Sequence, residues 1–324
     1  MYGDVLAAVI DDVEAAGPCR DLLAPHADEP FGSALVLRFL GAVHRLVLEG
    51  KAPDLAAQYP SAGGTPDGEV GAVFVATVAA HTAELAARIG DPVQTNEVGR
   101  SAVLVGGYLT AARLPLPLRV LELGASAGLN LRWDHFHYED DGWTFGDPRS
   151  PVRFVRPWPG TSPTASLPRQ CEVIERRGCD RTPIDATTAE GALTLRCFVW
   201  PDQVDRLDRL LAAIEVARGV SAEVDRADAP SWLADQVAEP EPGLVTVVAH
   251  SILLQYLDPS ARHRLVTTME EAGRRAESNA PVVWLRMEPG AEQAELRLTI
   301  WPGGHELLLA TSTFHGPPVR WIGR

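Results

Sequence analysis

An α/β protein built on a mostly parallel sheet is the fold class this sequence predicts, and three observations predict it. From about residue 118, short apolar runs of strand length alternate with segments of helical periodicity. The first run, Arg119-Val120-Leu121-Glu122-Leu123, ends at Gly124 and opens a turn of small residues. Near the end, segments 296–301 and 306–313 flank Pro302-Gly303-Gly304-His305, the pattern of a β-hairpin that adds antiparallel pairing.

Before that sheet, residues 1–117 read as helices. Ser33 can cap a helix with Leu35, Phe39, Leu40, Val43, Leu46 and Val47 on one stripe, ending at Gly50. A second helix is expected over 69–89, stopped by Gly90, and a third after Gln94-Thr95-Asn96-Glu97. Residues 118–324 form the sheet domain, interrupted by a Pro- and Gly-rich insertion at about 139–170. After it, strands are expected at 171–178, 220–225, 244–249 and 282–287. Between them lie a helix capped by Asp202 and one opened by Asp258-Pro259, running to about 277.

Composition excludes several functions. The formal charge of −14 over 324 residues disfavours broad nucleic-acid binding. Lys51 is the only lysine, and a P-loop around it fails because Arg45 stands at the first glycine position and Ala52 follows the lysine. Cys19, Cys171, Cys179 and Cys197 form no Cys-x-x-Cys pair. With an acidic start and no long uncharged apolar run, the expectation is a cytoplasmic protein with no membrane partner.

The passage Val120-Leu121-Glu122-Leu123-Gly124-Ala125-Ser126-Ala127-Gly128 carries the chemistry. Small residues let the backbone approach a ligand, and an acid at a strand end has something to meet. This passage resembles the first signature of class I S-adenosylmethionine (SAM)-dependent methyltransferases, whose core is a Rossmann-like sheet. The resemblance covers roughly residues 119–315. It implies that Glu122, Gly124, Ala125, Ser126 and Gly128 pack against the methionine and ribose of SAM, with Ser126 in place of the usual middle glycine. It also implies a ribose-binding acid after the second strand, and Asp180 fits; Glu139 competes if the second strand is instead 136–138. Asp228-Ala229 would stand beside the adenine. The reaction site would open after Thr246-Val247-Val248-Ala249-His250-Ser251.

Four further segments, Gln94-Thr95-Asn96-Glu97-Val98-Gly99-Arg100, Leu123 to Leu131, Phe198-Val199-Trp200-Pro201-Asp202-Gln203 and Trp301-Pro302-Gly303-Gly304, resemble an uncharacterised bacterial domain family. That resemblance implies no substrate.

The expected function is therefore SAM-dependent transfer, of a methyl group, to a small molecule. His250 is a candidate general base at a strand end, and Tyr256 a second catalytic candidate. Asn96, Glu97 and Arg100 are either helix-capping residues or substrate contacts from a helical lid. Two rival readings remain. Gly124-x-Ser126-x-Gly128 also spells a serine hydrolase elbow, with Asp258 and His305 or His315 downstream. A non-catalytic nucleotide-binding domain is the other. Asp134, His135, His137 and Glu139 lack a convincing third ligand spacing, so no metal is expected.

Overall fold

A computed structural model describes residues 1–160, 162–164 and 167–323. In chain order, six helices come first: α1 (Tyr2–Glu14), α2 (Pro18–Leu23), α3 (Leu35–Leu48), α4 (Pro53–Ala56), α5 (Val70–Ala80) and α6 (Thr82–Arg88). Then follow α7 (Ser101–Ala111), β1 (Leu118–Leu123), β2 (His137–Asp140), β3 (Trp143–Phe145), β4 (Arg153–Val155) and β5 (Val173–Asp180). The rest comprises α8 (Ala189–Cys197), α9 (Val204–Gly219), β6 (Glu223–Arg226), α10 (Ala229–Gln236), β7 (Val245–Ser251), α11 (Pro259–Arg275), β8 (Val282–Pro289), β9 (Ala294–Trp301), β10 (His305–Thr313) and β11 (Gly316–Trp321).

The chain divides into two compact units. The first comprises residues 1–95 and 188–208, the second 96–187 and 209–324. The core of the first is helical, with Val5, Leu22, Phe39, Val43, Leu46, Leu55, Phe74 and Leu85 packed together. Its α3 buries the stripe expected from sequence, but Ser33 does not cap it. The N-cap is Ala34, in the left-handed region at φ 55°, and Ser33 lies in the preceding 3₁₀ turn. The single helix expected over 69–89 is two, α5 and α6, bent by 85° at His81. Thr77 and Thr82 hydroxyls donate back to Val73 and Val78 carbonyls there, which bends helices. Among the described residues no single helix is long and apolar enough to cross a membrane.

The second unit is α/β. Its eight-stranded sheet has the order β11-β10-β9-β8-β7-β1-β5-β6. Strands β6, β5, β1, β7 and β8 run parallel, and β9, β10 and β11 extend the sheet antiparallel. Central β1 is buried along its whole length, which is why it is mostly apolar, with Arg119 and Glu122 as its only charged residues. On one face α10 and α11 pack together, Trp232 and Leu233 of α10 and Leu265 and Met269 of α11 sharing a core with Leu121, Leu123 and Val248 of the sheet. Helix α7 lies against β7 to β11.

Two sequence expectations shift here. The insertion folds into a separate sheet, β3-β2-β4, so residues 136–138 are not the second strand of the large sheet. That strand is β5, paired parallel to β1. The strand expected at 220–225 is β6, at the sheet edge. Residues 161, 165 and 166 of the insertion lie outside the described residues.

Candidate active site at the carboxyl ends of β1, β5 and β7

The chain leaves β1 to build β5 and β6 on one side, then returns to build β7 and β8 on the other. In open α/β sheets this reversal leaves a crevice outside the carboxyl ends of the strands, where ligands bind. The turn after β1 sits there. Gly124, Ser126 and Gly128 all have positive φ, at 67°, 53° and 66°. A Cβ on Gly128 would lie 2.8 Å from Val224 Cγ2, so both conformation and space demand glycine. Ser126 has no such freedom; a non-glycine residue there costs roughly 1–2 kcal/mol. After the adjacent β7, Ile252 is held at φ 53°, rarer still for a β-branched residue. Strain of this kind, on neighbouring strand ends, collects at functional sites.

Asp180 holds the turn from the end of β5. Its Oδ2 accepts from the Ser126 amide at 2.9 Å and its Oδ1 from the Thr182 amide at 2.9 Å. The carboxylate is half-buried. Glu139, the competing acid, lies in the small sheet beside His137 and Arg153, at 3.7 and 3.6 Å. Asp228 follows β6 at the N-cap of α10, where Ser231 Oγ donates to its Oδ2 at 3.2 Å and Arg181 approaches at 3.5 Å. Ala229 beside it is buried.

Glu122 is the unusual group. It is only 4% exposed, and its Oε2 is buried without a hydrogen-bond partner. Burial pushes its pKa up to about 8; Arg100 and Arg132 oppose the shift, and Asp180 adds to it. Arg132 is buried too, donating to Gly128 O and Val220 O at 2.7 Å each. Burial lowers the pKa of its guanidinium.

The residues at the start of α7 serve this turn. Asn96 Oδ1 accepts from the Leu129 amide at 2.9 Å. Asn130 Nδ2 donates to Glu97 O at 3.2 Å, and Ser101 Oγ donates to Asn130 Oδ1 at 2.7 Å. The Glu97 carboxylate accepts from the Gly99 amide and faces His315 at 3.5 Å. Asn96 and Glu97 thus anchor the turn from within. Arg100 donates to Phe314 O and Ser251 O at the end of β7.

His250 is where sequence and structure part. It does end β7, but it is fully buried and both ring nitrogens are engaged. Nδ1 lies 2.7 Å from Glu288 Oε1, and the Trp284 indole N–H donates to Nε2 at 3.1 Å. The indole can only donate, so Nδ1 carries the proton and the Nε2 lone pair is spent. No lone pair remains for a substrate proton. Tyr256 is 60% exposed on the loop after β7.

Of the residues the hydrolase reading names, Asp258 Oδ1 caps α11 by accepting from the Ala261 amide at 2.9 Å, His305 lies exposed at the β9–β10 turn, and His315 faces Glu97 at 3.5 Å. Among the described residues no group of three or more His, Cys, Asp or Glu is placed to hold a metal ion. A pocket lined by Arg119, Thr246, Arg275 and Val282 lies at the opposite, amino ends of the strands. At about 10 Å³ it holds at most one water.

Arg132, Asn130, Trp284 and Glu288 are site residues that sequence reasoning missed. They act through partners on other elements, and nothing in the local pattern marks them.

Fold and site together define an α/β protein with three acids, Glu122, Asp180 and Asp228, at or just past the carboxyl ends of adjacent parallel strands, at the reversal point of its sheet. A family model described as "uncharacterized protein conserved in bacteria (DUF2332)" matches residues 1–321, and the chain belongs to that family. No curated protein and no solved structure matches it significantly.

Proposed function

We propose that this chain is a SAM-dependent transferase, a methyltransferase acting on a small molecule. One observation carries the reading. Three adjacent parallel strands, β1, β5 and β6, each present an acid at or just past the carboxyl end, beside a turn held at positive φ. The order 3-2-1-4-5 of the five parallel strands is that of Rossmann-like sheets. An orphaned buried carboxyl oxygen suits a cationic amine, and two further acids in line suit a polyhydroxylated nucleoside.

In this reading Glu122 takes the methionine aminium, and Asp180 takes the ribose hydroxyls through the lone pairs its two amide bonds leave open. Asp228 and Ala229 border the adenine, and Gly124, Ala125, Ser126 and Gly128 supply the close backbone. Bound SAM supplies an electrophilic methyl group. The chain's task is then to align the acceptor and exclude water. His250 stabilises the loop after β7 and takes no proton. Tyr256, on that loop, and Arg100, which donates to Ser251 O at the end of β7, would contact the acceptor.

Calorimetric titration of SAM and S-adenosylhomocysteine into the parent and Asp180→Ala tests this. Micromolar binding lost in the variant is the expected result. Absence of binding to the parent overturns the reading, while binding without turnover on any acceptor points to a non-catalytic nucleotide-binding domain.

A further inference from the structure

The first unit contains a serine–histidine pair outside the crevice. His44, on α3, is fully buried. Its Nδ1 lies 3.1 Å from the Cys197 carbonyl oxygen, and its Nε2 lies 2.8 Å from Ser61 Oγ. A carbonyl can only accept, so Nδ1 carries the proton and the Nε2 lone pair faces the Ser61 hydroxyl. Burial drives the His44 pKa down to about 4, with the charge of Arg196 adding to it, so the ring is a neutral base at pH 7.

Ser61 is half-buried and rigidly placed. Pro60 opens its 3₁₀ turn, its amide donates to Pro201 O at 2.9 Å, and Gly63 closes the turn at φ 82°. A Cβ on neighbouring Gly64 would lie 2.3 Å from Ala56 O, so the turn is packed tightly against the chain before it.

Arg196, on α8, is the independent third feature. Among the described residues no carboxylate pairs with it, and its Nε is buried without an acceptor. Arg45, facing α8 from α3, is by contrast neutralised by Glu190 and Glu49. An unpaired guanidinium whose charge reaches the neutral base is a place for an anionic substrate group.

We propose that Ser61 and His44 form a nucleophile–base pair that cleaves carboxylic esters bearing a second, negatively charged group, which Arg196 binds. The Ser61 Oγ–H proton passes to His44 Nε2 as Oγ bonds to the acyl carbon. The carbon–oxygen bond to the leaving alcohol breaks, and that alcohol takes the proton from Nε2. Water then attacks the acyl-serine through the same base, releasing the carboxylic acid and restoring the hydroxyl.

The full chain treated with an alkyl fluorophosphonate, then digested for peptide mass spectrometry, tests this. The expected adduct is on Ser61, with loss of fluoride, and Ser61→Ala, folded by circular dichroism, abolishes it. Hydrolysis of 4-nitrophenyl hemisuccinate falls about a hundredfold or more in Ser61→Ala. Arg196→Gln lowers kcat/KM for the hemisuccinate about tenfold while leaving neutral 4-nitrophenyl acetate within about threefold. No adduct at Ser61, an adduct at Ser126 instead, or equal hydrolysis in Ser61→Ala overturns the proposal.

Discussion

Glu122→Gln makes the strongest test of the crevice, because the wild-type carboxyl is costly to the fold. The ordinary glutamate pKa is 4.5, and burial raises that of Glu122 to about 8. Below pH 4.5 the group is protonated folded and unfolded, and nothing is lost. Between pH 4.5 and 8 the unfolded chain releases the proton and the folded chain keeps it. Stability therefore falls with rising pH, by about 1.4 kcal/mol per unit for this one group, and levels off above pH 8. Glutamine has nearly the same shape and no proton to release. The variant should match the parent closely at pH 5 and exceed it at pH 8, the gap widening by roughly 3 kcal/mol. Urea unfolding of both proteins at the two pH values measures it. A gap that does not change with pH refutes the buried, proton-holding carboxyl. SAM affinity should move the other way, falling between about tenfold and a hundredfold as a charge-assisted bond to the aminium is lost. A residue that weakens the fold and strengthens binding is what a ligand site requires.

Two further substitutions separate the site from its support. Gly178→Ala places a Cβ 2.7 Å from Ala125 Cβ and 3.0 Å from Glu122 O, neither of which is a flexible chain end. It should destabilise the protein by about 1–3 kcal/mol and weaken SAM binding, read by thermal melting and calorimetry. Asp258→Ala removes only the α11 cap. A loss of about 1 kcal/mol with SAM affinity unchanged is expected, and lost ester or SAM activity would restore Asp258 to a chemical role.

Strands β1, β7 and β8 were legible because each has a strand neighbour on both sides, so most of their positions are buried and apolar. Edge strand β6, with Glu223, Asp225 and Arg226, lacks that signal, and its expected span began three residues early. Strand β11 was not foreseen because Pro317-Pro318 argues against a strand. It pairs only with β10, at the sheet edge, where missing amide donors are tolerated. The break at His81 was hidden because the apolar pattern runs through it. In the crevice, Glu122 and the glycines were legible because an acid before a small-residue turn is a local pattern. Asp180 needed the strand pairing to be separated from Glu139.

The error over His250 shows what position alone leaves open. Its place at a strand end was foreseen, but the alternation of side chains puts it on the face of Trp284. There it is one member of a chain of supports. Glu288, at the end of β8, accepts from His250 Nδ1 and from the Leu253 amide at 2.9 Å, fixing the loop after β7. Leu253 from that loop then covers Gly124, whose missing Cβ would lie 2.8 Å from Leu253 Cδ1. Buried polar groups on β7 and β8 thereby set the turn after β1, which neither Glu288 nor His250 contacts through any hydrogen bond of its own. Polar residues this deep in a sheet hold a loop in place, where an apolar pair would fill the core and leave the loop unheld.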